Sequence, residues 1–240
     1  MDKDAIALVA LDLDGTLTQH RSKLEERNTR VLDALSMKYK LLIVGAGTCR
    51  RIHGQMNGYP IDIIGNYGLQ VSVYNHQKKA LEIVESHVSP PDRPEVERRV
   101  ARLREMSEYL EYAGDSVEFH ESGMITFPLI GTKAKIEDKL RFDPSREKRR
   151  KIYPAVKAAF PEYTVFVGGS SSFDMAPLPY DKLYALDRYC EKRGLTHQNV
   201  VYFGDDFEPG GNDQQVHDSD IRFICVDDYR KFGAFAETIL

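Results

Sequence analysis

Near the start of the chain, the apolar run Ile6 to Leu11 stops at two carboxylates, Asp12 and Asp14, and then at Gly15 and Thr16. Ile, Ala, Leu and Val without polar alternation predict a strand buried on both faces, which is the habit of parallel sheets covered by helices. In open α/β sheets, ligands bind outside the carboxyl ends of such strands. In an extended chain, side chains at i and i+2 point the same way. Gly15 then allows a sharp turn out of the sheet. Two aligned acids at a sheet's mouth repel unless a cation shares the site. Mg²⁺ takes oxygen ligands and commonly binds through one or two carboxylates plus a phosphate.

The same strand-and-helix alternation runs through the first third of the chain. Ser22 to Met37 has helical spacing at Leu24, Val31, Leu32 and Leu35. Lys40 to Val44 reads as a short buried strand running into the turn Gly45 to Thr48, with a helix starting near Cys49. IDIIGNYGLQVSVY contains one strand and an alternating segment, punctuated at Asn66 to Gly68. This βαβα order implies a parallel sheet.

The character changes near Ser86. SPPDRPE reads as a connector, followed by a charged helix over 95–111. A hairpin is expected around Glu121–Gly123, then a helix over 145–160, then the strand pair YTVFVGG and SSFDMAP. After Asp181 the first pattern resumes: a helix over 181–193, the strand NVVYFG, the loop DDFEPGGND and the strand DIRFICV. The basic run Arg146 to Lys151 reads as a solvated helix face, and Asp206 and Glu208 as solvated loop acids.

Composition excludes several classes of partner. With a net charge of −4, 240 residues have no electrostatic case for nucleic acid or an anionic membrane. No apolar stretch approaches the ~20 residues that span a bilayer, and the first strand is no signal peptide. Three widely spaced cysteines fit neither a disulfide framework nor a zinc site, so a cytoplasmic setting is the expectation.

DLDGT resembles the first motif of the haloacid dehalogenase superfamily of phosphoryl-transfer enzymes. The resemblance implies that Asp12 is the nucleophile and Asp14 the general acid/base, both also serving Mg²⁺. The turn LLIVGAGT matches the second motif, where a hydroxyl bonds the transferring phosphoryl group. Thr48 supplies one, although an ungapped match puts Gly47 there. Lys182 matches the third motif. In the fourth, YFGDDFEPGGND, Asp205 would bind Mg²⁺, Asp213 would bind it or hold Lys182, and Asn212 is a further candidate ligand.

The insertion lies where the superfamily's larger caps lie. GGSSSFDMAPLPYDKLYAL, PGGND and SGMITFPLIG are similar to segments of the eukaryotic-type α-phosphomannomutases. That likeness implies sugar or phosphate contacts at Ser172 and Asp174. The mutases hold the substrate's distal phosphate with cap arginines, and here two of those places hold the His120 region and Thr132. Lys133, Lys135, Lys139 and Arg141 remain as candidate partners, although lysine lacks arginine's bidentate fork.

The expected fold is therefore a doubly wound, Rossmann-like α/β core over 1–85 and 181–240 with an inserted α/β cap over 86–180. The expected function is Mg²⁺-dependent phosphoryl transfer through an aspartyl-phosphate, with hydrolysis of a sugar phosphate ahead of phosphomannomutase activity. A non-catalytic sugar-phosphate-binding protein would lack the nucleophile, and Asp12 is present. Expected partners are a phosphorylated sugar and, through the cap, a second copy of the chain.

Overall fold

The computed structural model describes residues 5–240. In chain order the strands are β1 (Leu8–Leu11), β2 (Lys40–Val44), β3 (Asp62–Gly65), β4 (Gln70–Asn75), β5 (Ala80–Ser86), β6 (Glu118–Phe119), β7 (Ile125–Pro128), β8 (Tyr163–Phe166), β9 (Ser172–Pro177), β10 (Val200–Gly204) and β11 (Arg222–Cys225). The helices are α1 (Glu26–Ser36), α2 (Cys49–Gln55), α3 (Arg93–Ser107), α4 (Ile136–Phe142), α5 (Glu147–Ala159), α6 (Lys182–Glu191), α7 (Gln214–His217) and α8 (Phe232–Ala236). The chain divides into two compact units. A core unit runs up to Ser86 and takes in Asp181–Phe207 and Asp213–Leu240; an inserted unit holds His87–Tyr180 and Glu208–Asn212.

The core unit is an α/β fold on one seven-stranded sheet of order β11-β10-β1-β2-β3-β4-β5. β1 lies centrally, parallel to β2 on one side and to β10 on the other. Its side chains alternate between two separate cores. Val9 and Leu11 pack with Ile43, Phe203 and Phe232 on one face. Leu8 and Ala10 pack with Leu42, Leu186 and Tyr202 on the other. Burial on both faces is why the run has no polar alternation, and each fully buried Leu or Val contributes roughly 1.5–3 kcal/mol. Leu11 pairs with Ile43 and Phe203, so the ends of β1, β2 and β10 lie side by side.

Beyond β3 the sheet turns antiparallel: β4 pairs with β3, and β5 forms the edge against β4. The edge strand β5 was not expected, because none of its residues is buried and it carries no clean alternation.

In the inserted unit, the four-stranded antiparallel sheet β6-β7-β9-β8 packs one face on α3 and α5. Ile125, Phe127, Phe173, Met175 and Val165 meet Val96, Val100, Leu103 and Val156 there. On the opposite face, Thr126 pairs in register with Asp174 and Glu118. Asp92 caps α3 by accepting the Glu95 N–H at 3.2 Å. The helix ends at Ser107, short of the expected 111, because Glu108 takes a left-handed φ of 63°. The segment before α5 holds the unexpected α4, which has no buried residue and leaves its Ile136 and Leu140 exposed.

The basic run is not wholly solvated. Arg149 is 1% exposed and forms an ion pair with Asp143 at 2.9 Å. Its Nη1 donates to the carbonyls of Gly168 and Gly169 at 2.7 and 2.9 Å. It thus ties α5 to the loop before β9. Glu208 has an exposed side chain and pairs with Arg150.

Candidate active site

The site of the core unit is assembled at the ends of β1 and β10 and the start of α6. Asp12 follows β1 and is 5% exposed; its backbone N–H donates to the Phe203 carbonyl at 2.8 Å. Lys182 opens α6, fully buried, and its ammonium donates to Asp12 Oδ1 at 2.6 Å and Asp213 Oδ1 at 2.7 Å. Asp205 follows β10, and its Oδ1 accepts the Thr16 hydroxyl at 2.9 Å. Gly15, at φ +103°, brings the backbone so close that a Cβ there would lie 2.6 Å from Asp205 Cγ. Only glycine fits a left-handed turn against that carboxylate.

Asp213 is the hub. Its Oδ1 also accepts the Tyr202 hydroxyl at 2.6 Å, and its Oδ2 accepts the N–H groups of Asp205 and Asp206, both at 3.1 Å. Asp206 is therefore part of this buried turn, 7% exposed, and not a solvated loop acid as its type suggests. Tyr202 was also missed. It looks like one more apolar strand residue, and nothing in the sequence shows that its hydroxyl ends on a carboxylate.

Carboxylate oxygens of Asp12, Asp205 and Asp213 lie within 4.8 Å of one another. Two buried acids, Asp12 and Asp213, and the partly exposed Asp205 share one ammonium. Burial, and then the neighbouring Asp213 and Asp205, push the Asp12 carboxyl well above its ordinary range despite Lys182. Burial and the charge of Asp213 likewise raise Asp205 to about 6. Burial alone would depress Lys182, but Asp12 and Asp213 outweigh it and hold the ammonium charged. A cluster of hard oxygens carrying excess negative charge suits a divalent cation.

Asp14 has a different setting. Its Oδ1 accepts the Arg21 N–H at 2.7 Å and the Gln55 amide at 2.6 Å, and its Oδ2 is 3.8 Å from Arg51 Nη2. The expected i, i+2 alignment does not carry both carboxylates into one cluster, because β1 ends at Leu11 and the chain turns at Gly15. Thr48 is exposed and caps α2, its Oγ1 accepting the Arg51 N–H at 3.2 Å.

The remaining candidates lie in the inserted unit. Asp174 Oδ1 accepts the Thr126 hydroxyl at 2.9 Å, and His120 Nε2 lies 2.9 Å from the same hydroxyl. Ser172 Oγ donates to the Gly168 carbonyl at 3.2 Å. Lys133 is exposed. Asn212 groups with the inserted unit, while its neighbour Asp213 groups with the core.

Comparison with known proteins matches residues 102–227 to the family described as eukaryotic phosphomannomutase. The chain belongs to that family. It is 28% identical to the phosphomannomutase of Encephalitozoon cuniculi, with 96% of this chain and 94% of that protein aligned. It is 30% identical to the phosphomannomutase of Saccharomyces cerevisiae, over 87% of this chain and 84% of the yeast protein. The fold is shared with the IMP-nucleotidase of Plasmodium falciparum, at a TM-score of 0.70 and 15% identity, over 98% of this chain and 68% of that one. It is also shared with a haloacid dehalogenase-like hydrolase from Bacteroides thetaiotaomicron, at a TM-score of 0.53 and 17% identity, with 98% of each chain covered. This family member is a phosphoryl-transfer enzyme. No helix among the described residues is long and apolar enough to cross a membrane.

Proposed function

We propose that this enzyme transfers the phosphoryl group of a sugar monophosphate to Asp12 and then to water, acting as a phosphatase. Lys182 occupies Asp12 Oδ1. The Asp12 carboxylate attacks phosphorus in line, forming the Asp12 O–P bond as the bond from phosphorus to the sugar oxygen breaks. Asp14 gives the departing oxygen its proton. It then takes one from the water that attacks the aspartyl-phosphate, which restores Asp12 and releases phosphate. Lys182 stays charged throughout and stabilises both the nucleophile and the phosphoryl oxygens.

Mg²⁺, when bound, neutralises charge on the phosphoryl group. Asp12 and Asp205 are the side chains to hold it, together with the Asp14 carbonyl. Asp213 has both oxygens doubly engaged by Lys182, Tyr202 and two backbone N–H groups, so it supports the site from behind. Ser172 and Asp174 are assigned to sugar hydroxyls, and Asn212 and Lys133 to supporting polar contacts.

The observation that favours water as the acceptor is that four of the inserted unit's cations already have partners within it. A mutase must hold a second phosphate. Lys139 is tied to the Thr132 carbonyl at 2.9 Å, and Arg141 to Asp138 at 3.1 Å. The buried Arg104 and Arg149 are bound to backbone carbonyls. The second reading is hexose 1- to 6-phosphate isomerisation, favoured by the phosphomannomutase relatives. The deciding experiment supplies mannose 1-phosphate or glucose 1-phosphate with Mg²⁺ and a hexose bisphosphate. Free phosphate and hexose 6-phosphate are then followed together. Phosphate release should be the faster; faster 6-phosphate formation makes the enzyme a mutase.

A further inference from the structure

At the end of β2 the structure leaves the expected phosphoryl-binding hydroxyl without a clear owner. Gly47 has no side chain, and Thr48 is a helix cap. Gly47 does not adopt the left-handed backbone that calls for glycine. Its missing side chain is explained by what fills the space. A Cβ built there would lie 2.5 Å from Arg51 Cζ. The guanidinium of Arg51 occupies the volume that a side chain at this turn would take.

That guanidinium is held in place from α2. Its Nη1 donates to Gln55 Oε1 at 3.0 Å, one turn further along the helix. Gln55 in turn donates to Asp14 Oδ1 at 2.6 Å, and Arg51 Nη2 lies 3.8 Å from Asp14 Oδ2. Arginine carries five N–H donors in a planar fork, and here one is committed to a hydrogen bond. The side chain is 43% exposed, so the remaining donors are reachable. A fork of free donors beside the general acid/base, at the end of a strand adjoining β1, is the geometry that grips a tetrahedral oxyanion.

We propose that Arg51 is a catalytic residue that binds the transferring phosphoryl group, replacing a hydroxyl at Gly47. This rests on the phosphoryl-transfer reading above.

The test is a cycle of four proteins: wild type, Arg51→Met, Gly47→Ser and the double variant, with Arg51→Lys beside them. Two readouts are taken in Mg²⁺: calorimetric binding of inorganic phosphate, and kcat/KM for phosphate release from a sugar phosphate. Thermal unfolding confirms that each variant is folded. Arg51→Met should weaken phosphate binding about 10- to 100-fold, the size of one charge-assisted hydrogen bond, and lower kcat/KM at least as much. Arg51→Lys should fall between the two. Gly47→Ser alone should weaken binding, because the serine displaces the guanidinium. In the Arg51→Met background the same serine should recover about tenfold, since its hydroxyl enters the vacated volume. Arg51→Met binding phosphate as well as wild type, or Gly47→Ser failing to rescue it, overturns the proposal. If wild type itself neither binds phosphate nor releases it, the phosphoryl-transfer reading falls with it. An active wild type beside an unaffected Arg51→Met removes only Arg51.

Discussion

Each unit of this protein buries a cation completely, and the two are used in opposite ways. In the inserted unit Arg149 donates to the Asp143 carboxylate and to the backbone carbonyls of Gly168, Gly169 and Asp143. Burial alone would raise Asp143, but its hydrogen bonds from Arg149 and Lys148 hold it below the ordinary carboxylate range. In the core unit Lys182 meets Asp12 and Asp213 with Asp205 alongside, and Asp12 and Asp205 are driven upward. The buried Arg149–Asp143 pair fastens two elements together. The acids around Lys182 store a demand for positive charge, which a cation and a substrate's chemistry then meet.

The largest effect expected from this contrast is on the nucleophile. Asp12→Asn removes the attacking carboxylate and relieves crowding among the acids. Phosphate release should fall by about 10³-fold or more, while thermal stability without added cation holds or rises. Residual turnover near wild type, in folded protein, would end the mechanism.

The second effect is on the Arg149–Asp143 pair. Arg149→Met leaves Asp143 buried without its partner and should destabilise the inserted unit by about 3–5 kcal/mol in denaturant unfolding. Binding of Mg²⁺ by the core unit should be little changed. A fully stable variant would mean that Arg149 is not a fastener.

The third effect is smaller and runs with pH. Asp205 sits at about 6 when folded and near 3.8 when unfolded. Folding therefore takes up a proton between those values. Its contribution to stability is fully present below the unfolded pKa and is lost as pH rises through about 6. In EDTA, wild type should lose stability over that window relative to Asp205→Asn, which lacks the titration. The same variant should also need at least about tenfold more Mg²⁺ for activity. Parallel stability curves, or an unchanged Mg²⁺ titration, would take Asp205 out of the cluster.

Much of the core unit was legible in the sequence. β1, β2 and β10 are buried on both faces, so their apolar runs are uninterrupted and stop abruptly at Asp12, Gly45 and Asp205. The weak elements were those without such contrast. β5 is an edge with no buried residue, α4 has none either, and the end of α3 depends on one residue's left-handed turn. Among site residues, Asp12 stood out at a strand end, Asp205, Asp213 and Lys182 were marked by the resemblance to known motifs, and the structure brings the four together. Tyr202, Gln55 and Arg51 did not. Each sits at an ordinary place in a strand or helix, and its role depends on what lies across from it.

By itself the sequence determined the parallel α/β core, the place of the insertion and the acids at the strand ends. Those follow from local patterns: two-faced burial, turn residues and spacing. Tertiary structure alone decided how the charges are shared. It engaged both oxygens of Asp213, turned Asp14 toward Gln55, and buried Arg149 within a run of bases. It also laid a guanidinium over Gly47. Hydrogen bonds and ion pairs act over a few ångströms between residues far apart in the chain, so their partners are set only once the strands and helices have packed.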